Sequence, residues 1–226
     1  MRAVPSRAQY LSGWSQLHGG YDPARSRWVS GWLTLTYAAA RPLAGVGVGP
    51  DAVTLLGPVV AVLAVLAVGS GRSPSALVGA AALVVVSALL DGLDGAVAVL
   101  TGRSSLFGAV LDSVADRLAE VAYLVVLARV GADVPLLVAA GTASLLAEYV
   151  RARAGMVGMH EVGIVTVGER PTRVVVTVMG LLAAAVVGHP ADWAQAAAWA
   201  WLLTAVVAVV QLLVVVRRRL GRGAAG

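Results

Sequence analysis

The sequence predicts an all-α, polytopic membrane protein with six transmembrane helices preceded by an interfacial amphipathic helix. Hydrophobic residues fill 59% of the 226 positions and charged residues only 13%. Soluble domains average roughly 45–50% apolar and about 25% charged residues. Several apolar runs approach the roughly 20 residues that cross a hydrocarbon layer of about 30 Å. The chain has no cysteine, so disulfide and thiolate chemistry are excluded.

The apolar runs place the six spans in order along the chain. We predict them at residues 51–69, 75–100, 106–129, 134–152, 171–188 and 193–216. The connections between them alternate between short, charge-poor turns and arginine-bearing segments, which is the positive-inside pattern. Both termini are therefore expected in the cytoplasm of a multi-pass protein of the cell membrane, with only Arg72 and Arg129 on the far side.

The segment from Trp28 to Val48 is apolar and nearly long enough to span, but it contains Arg41-Pro42 and follows Arg25 and Arg27. Counting it as a span would move four N-terminal arginines outside, against the charge rule. We therefore interpret it as an interfacial helix with Trp28, Trp32 and Leu35 facing lipid. The chain then divides into a cytoplasmic tail, this helix, a six-helix catalytic domain and a basic cytoplasmic tail: 1–24, 25–48, 49–216 and 217–226.

Acidic residues are concentrated where the chain is otherwise apolar. Five of the 12 lie within 30 residues: Asp91, Asp94, Asp112, Asp116 and Glu120. Ionisable groups at membrane depth are costly and indicate function. The spacings i, i+3 and i, i+4 put each aspartate pair on one helix face, and the short turn 101–105 would bring the two helices together.

Four converging carboxylates repel one another unless cations are present, and hard oxygen ligands suit Mg²⁺ or Mn²⁺. Such ions commonly hold substrate phosphates. The alternative is that the acids pair with arginines such as Arg103 and Arg117 and only hold helices together. Glycines next to the acids, Gly95 and Gly108, favour a ligand site, because they remove side chains where a ligand approaches the backbone.

The stretch from Asp91-Gly-Leu-Asp94-Gly95-Ala-Val-Ala98 to Gly108, Asp112 and Asp116 resembles the signature of the CDP-alcohol phosphotransferases, D-x2-D-G-x2-A-R-x8-G-x3-D-x3-D. The resemblance covers most of the chain from about residue 25. It departs at Val99, where the family has an arginine expected near the nucleotide phosphates. Arg103 would substitute if the helix continued for one more turn.

This resemblance implies an enzyme that moves a phosphatidyl-type group from a CDP-linked lipid donor to a polar alcohol and releases CMP. It implies an active site at the cytoplasmic leaflet, contact with membrane lipids and a homodimer. Asp91, Asp94, Asp112 and Asp116 would bind the metal, with Asp116 also acting as the catalytic base. The implied nucleotide-binding residues are Asp51, Thr54, Asp91, Gly95, Ala98, Arg103, Gly108 and Asp112. For Asp51 and Thr54, an ordinary helix cap after Pro50 is an equal alternative.

Two later segments resemble stretches of bacterial phosphatidylinositol-phosphate synthases in which basic residues hold an acceptor phosphate. They are Glu148-Tyr-Val-Arg151-Ala-Arg153 and Gly168-Glu169-Arg170-Pro-Thr-Arg173. The resemblance implies an inositol phosphate acceptor bound by Arg151, Arg153, Arg170 and Arg173, since arginine binds phosphate in a bidentate manner. The alternative is that these arginines only anchor the helices on the positive side.

Two other functions use intramembrane aspartates. Prenyltransferases hold Mg²⁺ and pyrophosphate, but their Asn-Asp-x2-Asp-like motifs lie on separated helices. A small transporter would use the aspartates as an ion path, yet here they cluster at one end of two spans. Nucleic acid is not an expected partner, because the arginines border apolar runs and form no single basic stripe.

Overall fold

The computed structural model describes residues 4–17, 20–69, 71–159 and 166–223. Within these ranges the chain forms eight α-helices, a short 3-10 helix at Pro23–Arg25 and no strand, which confirms the all-α fold class. The α-helices are α1 (Arg7–Leu17), α2 (Arg27–Gly45), α3 (Pro50–Gly69), α4 (Pro74–Thr101), α5 (Leu106–Val130), α6 (Val134–Met156), α7 (Arg170–Val187) and α8 (Pro190–Gly223).

Five helices in the described ranges are long and apolar enough to cross a membrane: α3, α4, α6, α7 and the Pro190–Leu220 part of α8. The predicted span 106–129 forms α5, whose 25 residues extend about 37 Å at 1.5 Å per residue. Charged residues lie in the middle of α5, at Asp112, Asp116, Arg117 and Glu120, whereas those of α8 lie at its two ends. A count of six spans is therefore not confirmed, and the crossing of α5 stays a prediction.

Proline and glycine set most helix boundaries. Pro50, Pro74 and Pro190 occupy the first position of their helices, where no backbone N–H is needed. At the other end of α6, Gly158 has φ +94° and Met159 N–H donates to Ala154 O at 3.1 Å. This left-handed cap lets α6 continue four residues past the predicted end at 152.

The described helices group into two compact units whose boundary crosses α3, α4 and α5. The first unit contains residues 1–60 and 86–118, and its buried core includes Leu33, Val53 and Val97. The second contains residues 61–85 and 119–226. In this unit α8 packs against α6 and α7, and the buried Trp201 Nε1 donates to Ser144 Oγ at 2.9 Å.

Residues 1–24, which we expected to be a tail, contain helix α1. Tyr10 on α1 is only 2% exposed, and its hydroxyl lies 3.2 Å from Thr36 Oγ1 on α2. Arg7 donates to Thr34 Oγ1 at 2.8 Å. The helix was missed because its apolar residues form no helical stripe, so packing against α2 stabilises it instead of an amphipathic pattern.

Helix α2 corresponds to the interfacial helix predicted at 25–48. Leu33 and Ala40 are buried, while Leu35 is exposed and Trp32 is 45% exposed. The side chain of Trp28 lies outside the described part of the structure. The lipid-facing assignment of Trp32 needs one addition, because its indole ring also packs against Gly92 of α4.

The contact between Trp32 and Gly92 makes a prediction about stability. A Cβ added at Gly92 would lie 2.9 Å from Trp32 Cζ2, whereas one at Gly79 in the same helix would meet no atom within 4 Å. Overpacking costs about 1–3 kcal/mol and exceeds the roughly 1 kcal/mol gained from alanine's helix propensity. We therefore expect Gly92→Ala to lower the melting temperature in detergent relative to Gly79→Ala. Equal melting temperatures would show that the indole moves aside at no cost.

Candidate active site

Three of the four predicted metal ligands converge. Asp91 on α4 and Asp112 and Asp116 on α5 each offer a carboxylate oxygen, and these oxygens all lie within 4.8 Å of one another. All three residues are half-buried. Carboxylates this close repel one another when ionised, and oxygen ligands of this kind fit Mg²⁺ or Mn²⁺. The donor set therefore fits a hard divalent cation.

Asp94 is outside this group of three and has a different contact. Thr54 Oγ1 donates to Asp94 Oδ2 at 2.6 Å, and both residues are buried. Thr54 lies within α3, which begins at Pro50, so the helix-cap alternative for Thr54 is wrong. The buried hydrogen bond fixes the Asp94 carboxylate against α3.

A cleft of about 180 Å³ opens next to these acids. Its lining is Pro50, Asp51, Thr54, Asp94, Gly95, Ala98, Arg103, Ser104, Ser105, Gly108, Ala109 and Asp112. Of the eight predicted nucleotide-binding residues, only Asp91 is absent from this lining. The structure thus brings the others together, while their binding role stays a prediction.

Ser104 and Ser105 also line the cleft and were missed by the sequence analysis. The sequence did contain a signal for Ser105, because a serine directly before an apolar helical segment is a typical N-cap. In the structure its Oγ accepts from Gly108 N–H at 2.9 Å, just before α5 begins at Leu106. A Cβ at Gly108 would lie 3.1 Å from that Oγ and 3.6 Å from Asp51 Oδ1. Glycine at 108 therefore keeps this wall of the cleft open.

Arg103 reaches the cleft by a route other than the expected one. Helix α4 does not continue for another turn but ends at Thr101. Gly102 has φ +63°, and Arg103 N–H donates to Ala98 O at 3.0 Å. This hydrogen bond across the helix end is the Schellman motif, which turns the chain back and puts Arg103 on the cleft wall.

Val99, which stands where the family signature has arginine, makes an apolar contact. A Cβ on Gly13 of α1 would lie 3.2 Å from Val99 Cγ1. Val99 is also among the side chains packed against the buried core of the first unit. At this position the chain thus holds α1 in place, and Arg103 is the arginine of the cleft.

A second polar group lies in the second unit and contains two of the four predicted acceptor arginines. Arg173 Nη1 lies 2.6 Å from Glu120 Oε1, and its Nη2 lies 3.5 Å from Glu148 Oε1. Arg151 Nη2 lies 2.7 Å from Glu169 Oε1, and its Nε lies 3.5 Å from Glu148 Oε2. Acidic and basic side chains thus alternate, and we call this group the glutamate–arginine chain: Glu120, Arg173, Glu148, Arg151 and Glu169.

Burial excludes one of the two interpretations of Arg173, while its binding of an acceptor phosphate stays a prediction. An anchor for lipid headgroups must be exposed, and Arg173 is 1% exposed, so it is not an anchor. Glu120, which the sequence analysis grouped with the aspartates, is its partner in α5. Of the other two predicted residues, Arg153 is exposed beside Met156 Sδ at 3.6 Å and Arg170 is half-buried at the start of α7.

The comparisons with known proteins agree with this geometry. Residues 48–219 match the CDP-alcohol phosphatidyltransferase family model, so the chain belongs to that family. It is an enzyme, a phospholipid-synthesising transferase that moves a phosphatidyl-type group from a CDP-linked lipid to a polar alcohol with release of CMP. The family assignment rules out the two alternative functions, a prenyltransferase and a small transporter.

Individual relatives are similar along most of their length. The phosphatidylinositol phosphate synthase of Mycolicibacterium smegmatis is 32% identical over 194 residues, 82% of this chain and 85% of that protein. The crystal structure of the Mycobacterium tuberculosis phosphatidylinositol phosphate synthase with manganese and citrate has a TM-score of 0.65 and 32% identity, covering 80% of this chain and 88% of that one. The structure of the same synthase with CDP-DAG bound has a TM-score of 0.60 and 31% identity, covering 80% and 90%.

The glutamate–arginine chain makes stability depend on pH through Glu169, which caps α7 outside the membrane-spanning segment. Burial raises the pKa of Glu169, but the Thr166 N–H and hydroxyl and the Arg151 guanidinium outweigh it, so the pKa lies below the ordinary 4.5. The stabilisation is therefore complete above pH 4.5 and is lost as the pH falls through the folded-state pKa.

We expect Glu169→Gln to lower the melting temperature at neutral pH, and the difference from the parent protein to shrink below pH 4.5. The matched control is Asp192→Asn, an exposed acid at the start of α8 whose nearest ion pair, with His189, is 4.0 Å long. A difference that stays constant on acidification would contradict the assigned role of the Glu169 carboxylate.

Proposed function

We propose that this transferase joins a CDP-linked lipid to an inositol phosphate. The observation that carries the catalytic part is the approach of the Asp91, Asp112 and Asp116 oxygens to within 4.8 Å at the edge of the cleft. The acceptor is inferred from the synthases named above and from the two arginines of the glutamate–arginine chain. Both have guanidinium groups suited to bidentate binding of phosphate.

The donor's CDP group binds in the cleft. Thr54 and Asp51 line the part of the cleft that receives the cytosine. Gly95, Ala98 and Gly108 leave room for the cytidine. Arg103 contacts the diphosphate in place of the family arginine. The position of Arg103 on the cleft wall supports this role, because a guanidinium is the side chain best matched to phosphate oxygens.

Asp91, Asp112 and Asp116 would hold the metal, with Asp94, which Thr54 orients, as the fourth ligand. When bound, Mg²⁺ or Mn²⁺ would neutralise the pyrophosphate and stabilise the CMP leaving group. Asp116 takes the proton of the acceptor hydroxyl. The acceptor oxygen then forms a bond to the lipid-bearing phosphorus, and the bond from that phosphorus to CMP breaks.

The acceptor's phosphate binds Arg151, Arg153, Arg170 and Arg173. Arg173 and Arg151 are held by short contacts to Glu120 and Glu169, so their guanidinium groups are oriented before the acceptor arrives. Such pre-organisation lowers the conformational entropy that binding costs.

We also propose that both termini and the active site lie on the cytoplasmic side, since this orientation leaves only Arg72 and Arg129 outside. Residues 49–216 then form the catalytic domain, with all six predicted spans, including α5. The functional assembly is a homodimer in the cell membrane, as the family resemblance implies.

The test of the function is CMP release by the purified protein in detergent with CDP-diacylglycerol. With Mg²⁺ or Mn²⁺ present, we expect inositol phosphate to support more turnover than inositol or glycerol phosphate. A chelator should abolish activity, and adding the metal back should restore it. Folded protein that releases no CMP with any acceptor would contradict the proposal.

The base assignment makes a separate prediction. Asp116→Asn removes the proton acceptor, so turnover should fall by about 10²–10⁴-fold, the usual contribution of general base catalysis. The dissociation constant for the CDP-linked donor should change little, because the side-chain carbonyl oxygen of asparagine can still bind the metal. The control Asp192→Asn should keep full activity. Near-normal turnover in Asp116→Asn would show that another group takes the proton.

A further inference from the structure

The two arginines of the glutamate–arginine chain have unequal contacts. Each makes one short ion pair with its own glutamate, at 2.6 Å for Arg173 with Glu120 and 2.7 Å for Arg151 with Glu169. Each makes one long contact, 3.5 Å, with the same residue, Glu148. Glu148 therefore sits between the two guanidinium groups without a short bond to either.

Exposure separates Glu148 from Glu120, while Glu169, whose side chain is 27% exposed, differs from Glu148 by its short ion pair with Arg151. The side chain of Glu120 is 6% exposed, so its carboxylate cannot leave Arg173 without burying an unpaired charge. The side chain of Glu148 is 32% exposed and can turn towards water. If Glu148 turned away, Arg151 and Arg173 would have donors available for another anion. The buried Nε atoms of both arginines already have no hydrogen-bond partner among the described residues.

We propose that Glu148 is a built-in competitor for the acceptor phosphate: it neutralises Arg151 and Arg173 when the acceptor is absent, and the phosphate displaces it on binding. This inference rests on the proposed acceptor site. A phosphate group offers more acceptor oxygens and more charge than a carboxylate, so it replaces two long contacts with short, charge-assisted hydrogen bonds. Glu120 and Glu169 are positioning residues that stay in place.

The consequence is a specificity filter. An alcohol without a phosphate cannot displace Glu148, because it brings no charge to the two guanidinium groups. A phosphorylated alcohol can. Glu148 thus determines which acceptors enter and how tightly they bind, through competition and not through contact with the acceptor.

A purely structural role for Glu148 predicts the opposite effect of its removal. If Glu148 only held Arg151 and Arg173 in place, Glu148→Gln would loosen both arginines and weaken phosphate binding. If Glu148 competes, the same substitution strengthens phosphate binding. The sign of the change in affinity therefore decides between the two roles.

The experiment measures binding of inorganic phosphate to the full chain in detergent by isothermal titration calorimetry, without any donor. The ion pairs of the partly exposed Glu148 with Arg151 and Arg173 are both 3.5 Å long, so we expect Glu148→Gln to bind phosphate about three- to tenfold more tightly. Adding Arg151→Gln to this variant should remove the gain, which locates the phosphate at this site. Unchanged or weaker binding in Glu148→Gln, with an unchanged melting temperature, would overturn the proposal.

Two further variants keep the test decisive. Glu148→Asp retains the charge but shortens its reach, so it should bind phosphate with an affinity between those of the parent protein and Glu148→Gln. Glu120→Gln removes a positioning carboxylate and should give no gain in affinity. If Glu120→Gln tightened phosphate binding as much as Glu148→Gln, general loss of negative charge would explain the effect and the proposal would fail.

Turnover separates this inference from the proposed function. In Glu148→Gln the KM for inositol phosphate should fall by the same factor as the phosphate dissociation constant, while the KM for CDP-diacylglycerol stays unchanged. If no acceptor supports CMP release but phosphate still binds more tightly to Glu148→Gln, the proposed function fails and the competition stands. If CMP release is normal but the KM for inositol phosphate is unchanged, the competition fails alone.

Discussion

Compensation of buried charge is the constraint on which both polar sites depend. Hydrophobic residues make up 59% of this chain, so a buried ion is surrounded mainly by apolar groups that cannot solvate it. Each buried charge therefore needs a partner at short range. The chain solves this in two ways. Asp91, Asp112 and Asp116 bring three like charges together, which Arg117, 3.6 Å from Asp116, offsets only in part, so the group favours an added cation. Arg173 is instead neutralised by carboxylates of the same chain.

The parts that were predictable from sequence are those governed by length and spacing. The apolar runs, with the proline, serine and glycine residues that bound them, predicted the bounds of α3, α4, α5 and α7 to within one residue, because such residues begin and end helices. The aspartate spacings predicted the convergence of Asp91, Asp112 and Asp116 for a similar reason, since helix periodicity decides which side chains share a face.

The parts that were missed depend on tertiary packing. Helix α1 has no periodic apolar stripe, so only its packing against α2 and Val99 distinguishes it from a tail. The pairing of Glu120 with Arg173 joins residues 53 positions apart, and no local pattern indicates it. The charges of α5 that made it conspicuous as a functional helix also make its own hydropathy ambiguous.

The connection between α4 and α5 has a consequence for how sequences of this kind can vary. Surface loops ordinarily accept insertions and deletions with little cost. Here Gly102 reverses the chain in a left-handed conformation, and the next three residues, 103–105, all line the cleft before α5 begins at Leu106. One residue inserted after Gly102 would move Arg103 away from the position on the cleft wall that this turn gives it. Natural length variation should therefore be confined to the other loops, and this exposed turn should be as rigidly conserved in length as a buried strand.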